Sequence, residues 1–362
     1  MEDQLRSTDT LQYIVGHFRV TPLSYSFKTI AQGYINDSYF VVHGDKVLYV
    51  LQHINDSVFT DIDGLMGNVS LALSFLKGNG YRSISVIETK KGTVYAHIPG
   101  NGYWRLLTYI PNSTAHDTAS DSKIAFEAGK ILANFHQLIT KAPQAKFKDI
   151  IPKFHHLQWR IAQFKEALAQ APSAFLVNAG ESIAFAKEIF PLFDPLIQSD
   201  MPFRICHNDS KLNNMLFDME TKEALCLIDL DTLMKGYFYY DFGDTVRTVV
   251  NGTAEDETDL SKITFDMDLL DSFIQGLASQ GNFLTKKEIQ LLHLGVLYMP
   301  FIHGLRALTD YLEGNHYYKV AYPNQNLDRC KNLFHFVALA KEQLDVIRLS
   351  IQKKVFPYQE SV

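Results

Sequence analysis

At Pro111-Asn112-Ser113-Thr114 the chain stops alternating and begins to repeat with helical spacing. Upstream, residues 34–42 are rich in β-formers. A turn follows at His43-Gly44-Asp45-Lys46, and residues 47–52 read as the returning strand. Residues 63–77 place Leu65, Val69, Ala72, Leu73 and Leu76 on one helical face, and Gly78-Asn79-Gly80 ends that helix. Strands are then expected at 84–88, 94–98 and 103–110. Downstream, Ile124, Ala128, Ile131, Leu132, Phe135 and Leu138 keep helical spacing, and residues 154–170 and 181–198 continue the trend. Two strand-like segments, 203–207 and 224–229, interrupt the helices. Thr285-Lys286-Lys287-Glu288 has the form of a capping box and predicts the start of a long helix. The order predicts an α+β fold of two lobes. Residues 1–110 form a mostly antiparallel sheet with one helix, residues 111–362 form a mainly helical lobe, and a cleft lies between them.

Composition narrows the function. The 362 residues are 46% hydrophobic and 20% charged, enough apolar material for a large core. A net charge of −6 argues against a broad nucleic-acid-binding face. Cys206, Cys226 and Cys330 lack C-x-x-C spacing, so neither a zinc site nor a disulfide framework is expected. With a polar N-terminus, this predicts a reducing, cytoplasmic setting. The most apolar run, 294–302, has nine residues and contains Pro300. A spanning helix needs roughly 20 apolar residues, so no membrane span is predicted.

The chemistry concentrates in His207-Asn208-Asp209-Ser210-Lys211-Leu212-Asn213-Asn214, followed by Leu227-Ile228-Asp229-Leu230-Asp231 with Asp229 fifteen residues past Asn214. Strand, polar loop, strand, acid suits phosphoryl transfer. That reaction needs a carboxylate for the attacking hydroxyl, hard oxygens for Mg2+, and positive charge near the transferred phosphate. Asp209 supplies the first, Asn214 and Asp229 the second, and Lys211 the third. Asp241-Phe242-Gly243 also spells a metal-binding tripeptide of protein kinases, but its acid lies 27 residues past Asn214, beyond a turn at Gly236. The metal role is therefore assigned to Asp229. Asp231 is left between a second Mg2+ and the orientation of a basic neighbour.

On these residues the chain resembles the protein-kinase-like superfamily, and within it the aminoglycoside phosphotransferase and choline kinase branch. The resemblance implies ATP and Mg2+ as cofactors, Asp209 as the base, Asn214 and Asp229 as metal ligands, and His207 as a buttress of the loop. It also implies that Asp241 holds the loop. A closer resemblance, to the N-acetylhexosamine 1-kinase family, rests on four further segments. These are Ile228-Asp229-Leu230-Asp231-Thr232, Asp241-Phe242-Gly243-Asp244, Asp310-Tyr311-Leu312-Glu313-Gly314, and Gly33-Tyr34-Ile35-Asn36 with Leu51-Gln52. It spans about residues 27–330 and implies phosphorylation of the anomeric hydroxyl of an N-acetylhexosamine.

In that frame Gln32-Gly33-Tyr34-Ile35-Asn36-Asp37-Ser38 covers the phosphates, so Gly33, Asn36 and Ser38 are nucleotide contacts. The usual nucleotide lysine is Gln52, as in the hexosamine kinases, so Lys211 and the metal are expected to neutralise more of the phosphate charge. The backbone of Leu107-Thr108-Tyr109-Ile110-Pro111, Tyr109 and Ile110 above all, is the expected hinge for adenine. Arg306, Tyr317 and Tyr34 are the expected sugar contacts, although the family pattern has His at the Tyr34 position. Arg306 paired with Asp310, one helical turn away, is the structural alternative. His136 reads as a helix histidine whose bonds are met, and Cys206 as a buried inert thiol. Two functional alternatives stay open. One is a kinase of another small alcohol of aminoglycoside, choline or methylthioribose type, whose cationic acceptors would want an acidic pocket; Asp256, Glu257 and Asp259 read instead as an exposed loop. The other is a nucleotide-binding pseudokinase, supported by the loss of the strand lysine.

Overall fold

The computed structural model describes residues 6–30, 35–78, 80–255 and 257–355. Gln32, Gly33, Tyr34 and Asp256 lie outside the described residues. Helix α1 (Thr8–Val15) begins at Ser7, whose hydroxyl accepts from the Thr10 N–H. Strands β1 (Ser26–Ile30), β2 (Asp37–His43) and β3 (Lys46–Ile54) follow, then α2 (Ile62–Phe75), β4 (Val86–Ile87), β5 (Ala96–Ile98) and β6 (Gly102–Thr108). They form an antiparallel sheet in the order β1-β2-β3-β6-β4, with β5 also on β6. In this register Gln52 stands opposite Arg105. Neither α1 nor β1 was marked by periodicity: α1 spans only eight residues, and β1 has no clean alternation of burial.

After β7 (Ser113–Thr114) the chain is mainly helical. Helix α3 (Ser122–Ile139) is capped by Asp121. Next come α4 (Leu157–Gln170), α5 (Ser173–Asn178), α6 (Gly180–Ile189) and α7 (Asp194–Ile197). The single helix expected over 181–198 is broken by a 3-10 turn, Phe190–Phe193, because Pro191 and Pro195 lack the N–H a helix interior needs. Strands β8 (Arg204–Cys206), β9 (Met215–Asp218), β10 (Ala224–Leu227) and β11 (Met234–Gly236) then frame two loops. β10 and β7 flank β9, and β11 pairs with β8. Helices α8 (Phe238–Val249), α9 (Met267–Ala278), α10 (Lys286–Leu312), α11 (Gln325–Glu342) and α12 (Leu344–Val355) complete the chain. The expected capping box at Thr285 and Glu288 is present at the start of α10.

One large core joins Val69 and Leu73 of α2 to α3, α8, α9, α10 and α11, so packing continues across Pro111. A smaller core lies between α1 and the sheet around Tyr39, Leu51 and Trp104. Helix α10 is apolar and long enough to cross a membrane, yet 89% of its most apolar window is buried here. It is the central helix of the lobe. Where α8 crosses α10, Gly243 faces Gly295. A Cβ on Gly243 would lie 2.0 Å from the Gly295 carbonyl oxygen, so this crossing admits no side chain.

Candidate active site

The catalytic-type loop lies between β8 and β9, and its backbone is held from below. Asp241, fully buried in the first turn of α8, accepts from the His207 N–H at 2.8 Å and the Asn208 N–H at 2.7 Å. His136 of α3 adds a contact from Nε2 to the same carboxylate at 2.9 Å. Asp241 is therefore saturated with donors inside the protein. It sits under the loop rather than in the cleft, as its distance from Asn214 in the sequence suggested. Cys206 lies beside it, and burial pushes its thiol well above the usual range. These three buried donor residues are a structural knot.

His207 is buried and donates from Nε2 to the Ile228 carbonyl at 2.8 Å, and Ile228 N–H donates to the Asn214 carbonyl at 2.8 Å. The loop and the acid segment after β10 are thus tied together. Asn208 has a left-handed backbone, φ 61°. Its side-chain amide donates to the Thr232 carbonyl at 2.9 Å, which repays part of that strain locally.

Asp209 projects from this platform and keeps a partly exposed carboxylate. Asn214 Nδ2 donates to Asp209 Oδ2 at 3.0 Å and to its carbonyl at 2.8 Å, and Lys211 Nζ lies 3.3 Å from Oδ2. The Asp209 charge holds the Lys211 ammonium above the ordinary lysine range, so the cation is permanent. With Asn214 Nδ2 committed, its Oδ1 is the atom available to a cation. Asp229, φ 58°, retains exposed surface at the cleft while protein encloses it on its other sides. That enclosure, with the Asp231 and Asp209 charges, raises its carboxyl to about 6. Hard oxygens crowded with like charge fit a divalent cation, which would relieve the repulsion. Asp231 does not share this role: one oxygen pairs with Arg105 and the other accepts from Asn36 Nδ2 at 2.6 Å. The open question over Asp231 resolves toward a basic neighbour.

The nucleotide side is knit more tightly than its motifs suggest. Gln52 Nε2 donates to Ser38 Oγ at 2.9 Å, and Arg105 Nε donates to Gln52 Oε1 at 2.9 Å. Asn36 Oδ1 accepts from the Asn55 N–H at 3.0 Å. The side chains of Asn36, Ser38 and Gln52 therefore belong to one network. At the hinge, the Tyr109 N–H donates to the Leu48 carbonyl at 3.3 Å, and Ile110 O accepts from Ser113 Oγ at 2.6 Å. The Tyr109 carbonyl and the Ile110 N–H remain without partners among the described residues and are the groups available to adenine. Gly33 and Tyr34 fall outside the described residues.

On the helical side, Arg306 is 9% exposed and has no carboxylate partner among the described residues. The pairing with Asp310 does not form. Asp310 instead accepts from the Tyr317 N–H at 2.7 Å, the Tyr318 N–H at 3.0 Å and Asn326 Nδ2 at 2.8 Å, which pins the segment after α10. The Arg306 guanidinium lies 4.8 Å over Phe154 and 5.8 Å from each of Tyr317 and Tyr318, with the Tyr317 hydroxyl 3.5 Å away. Neighbouring His155 donates from Nε2 to the Asn208 carbonyl at 2.8 Å, so this aromatic cluster abuts the loop. Behind it, Arg247 pairs with Asp244 and Glu255, and Arg329 also pairs with Glu255. Burial alone would raise the Asp244 carboxyl, but Arg247 and His303 hold it well below the usual range. Glu257 and Asp259 bond to Lys262 and Ser261 on the surface.

Sequence reasoning missed Arg105, Asp244, Arg247 and Glu255. The one available signal was a charge inside an apolar segment, Tyr103-Trp104-Arg105-Leu106-Leu107 for Arg105 and Asp244-Thr245-Val246-Arg247 on α8.

Residues 26–262 match the phosphotransferase enzyme family APH. Solved structures agree in fold. A spectinomycin phosphotransferase in complex with ADP and spectinomycin is 13% identical, with TM-score 0.62, covering 94% of this chain and 98% of that one. A choline kinase from Cryptosporidium parvum is 15% identical, with TM-score 0.59, covering 97% and 100%. An amicoumacin kinase in complex with AMP-PNP and Ca2+ is 15% identical, with TM-score 0.56, covering 99% and 96%. The chain belongs to the APH phosphotransferase enzyme family. That family makes it a phosphotransferase.

Proposed function

We propose that the protein transfers the γ-phosphoryl group of ATP to the anomeric hydroxyl of N-acetylglucosamine or N-acetylgalactosamine, yielding the sugar 1-phosphate and ADP. Residues 1–110 serve as the nucleotide lobe and 111–362 as the substrate lobe, in a cytoplasmic protein. The three buried, unbridged cysteines suit that reducing compartment.

Asp209 accepts the proton of the attacking hydroxyl. The sugar oxygen bonds to the γ-phosphorus as the bond to the bridging oxygen breaks, and ADP leaves with that electron pair. Asn214 Oδ1 and Asp229 would hold Mg2+, which when bound would offset charge on the phosphates. Lys211 places a fixed positive charge beside Asp209 and keeps the carboxylate oriented. His207 fixes the loop against Ile228. Lys211→Ala is expected to lose more than about tenfold in kcat, roughly 1.4 kcal/mol, measured at saturating ATP and acceptor.

The choice of acceptor rests on one observation: the wall beside the loop is Arg306, without a carboxylate partner among the described residues and ringed by Phe154, Tyr317 and Tyr318. A buried guanidinium offers several N–H donors to hydroxyl or acyl oxygens and repels cationic acceptors. The nearby acids do not reverse this, since Asp244 and Glu255 are already matched by Arg247 and Arg329. That balance supports a neutral sugar over choline or an aminoglycoside. Arg306→Ala should lower kcat/KM for the acceptor about ten- to a hundredfold, with KM for ATP unchanged. Phosphorus NMR of a reaction with ATP, Mg2+ and either sugar tests the assignment. A sugar 1-phosphate signal supports it. ADP formed only with another alcohol overturns the acceptor but not the chemistry.

A further inference from the structure

The lobes are fastened across the cleft by a buried ion pair that the chemistry above does not use. Arg105, in mid β6, is 2% exposed, and its partner Asp231 is 3% exposed. Asp231 lies two residues past Asp229, in the 3-10 turn Leu230–Thr232. Its other oxygen accepts from Asn36, which directly precedes β2. Arg105 also orients Gln52, and Gln52 in turn bonds Ser38. The two contacts to Asp231 join the sheet and Asn36 to the segment that carries Asp229, and the other two tie Arg105 to β3 and β2 within the sheet.

In protein kinases a lysine on the third strand pairs with a glutamate on the following helix, and the site works only with that pair in place. Here the strand position is Gln52, and the helix side chain that meets the cation is Met66, with Sδ 3.9 Å from Arg105 Nη1. Among the described residues Arg105 is the one buried cation of the sheet, and its carboxylate sits on the acid segment rather than on α2. Asp229 holds a left-handed backbone, φ 58°, a conformation an aspartate adopts at modest cost. Asp231 is anchored two residues away by Arg105 and Asn36.

We propose that Arg105 and Asp231 are positioning residues: their buried pair sets the spacing between the sheet with Asn36 on one side and Asp229 on the other, and thereby makes the cation site competent. The inference rests on the cation-dependent reading above. It differs from it by assigning lobe registration to a pair that touches neither substrate.

Removing both charges together separates positioning from simple stability, because replacing a buried pair by apolar residues of similar volume often preserves stability, whereas removing one partner does not. Thermal unfolding, and calorimetric binding of ATP with and without Mg2+, are compared for wild type, Arg105→Met, Asp231→Leu and the double variant. Both single variants are expected to melt earlier. The double variant recovers most of that loss, yet its Mg2+-dependent gain in ATP affinity stays at least tenfold below wild type. Recovery of both stability and the Mg2+-dependent gain overturns the proposal and leaves the proposed function intact. A wild-type protein whose ATP affinity ignores Mg2+ overturns the functional reading and this inference with it. If the double variant does not fold, Arg105→Lys decides, since it keeps the charge but not the planar fork that reaches Gln52 and Asp231 together. It is expected to need several-fold more Mg2+ for half-maximal turnover; a wild-type midpoint overturns the proposal.

Discussion

Asp209→Asn should yield a protein that folds, melts near the wild-type temperature and binds ATP, but turns over roughly 10²- to 10⁴-fold more slowly. The platform explains the intact fold. The loop is held through the backbone N–H groups of His207 and Asn208 by Asp241, and through His207 by Ile228, none of which involves the Asp209 carboxylate. Asn is nearly isosteric and still offers an oxygen to Asn214 Nδ2. It cannot take a proton from the attacking hydroxyl. The measurement is kcat at saturating ATP and acceptor beside a melting curve. Activity within tenfold of wild type would remove Asp209 from the role of base.

Asp241→Ala should be the most damaging substitution to the fold itself. It strips the acceptor from two buried backbone N–H groups and from His136, none of which can turn to water. Breaking such a buried set costs on the order of 3–5 kcal/mol, a large share of the roughly 5–15 kcal/mol that holds a typical domain together. The expected readout is a melting temperature lowered by several degrees and a residual activity that falls with it. A variant with wild-type melting behaviour and a specific loss of Mg2+ dependence would instead place Asp241 at the metal. The two substitutions therefore separate an acid that reacts from an acid that supports.

What was legible in the sequence follows from how far apart the partners lie. Asp209, Lys211 and Asn214 sit within one loop, and their spacing carries the site because the chemistry needs them on consecutive turns of backbone. The support role of Asp241 came from the family resemblance, since its partners His207 and Asn208 lie 34 and 33 positions away. Arg105 was not, because its carboxylate is 126 positions away and its orienting Gln52 is 53 away on a neighbouring strand. The same holds for Asn36, whose bond to Asp231 spans 195 positions. Pairings of that kind depend on which strand lies beside which, and a lone arginine in an apolar strand does not announce its partner. The Arg306–Asp310 pairing failed for a different reason. Helical spacing permits it, but Asp310 gains more by accepting from two backbone N–H groups that would otherwise be unmet.

The glycine contact between α8 and α10 bears on how such an enzyme diversifies. With the Gly295 carbonyl oxygen 2.0 Å from where a Gly243 side chain would begin, the helix that carries Asp241 and Asp244 admits no larger residue at its crossing with α10. Heritable change in what the protein accepts is therefore channelled away from that seam. On the proposed acceptor side, the stretch after α10 is freer: Tyr317 is 64% exposed and hangs from Asp310 by a backbone bond that any residue with an N–H can make. A mutational library seeking new acceptors should be spread over that stretch, with Asp310 and the glycine seam left fixed.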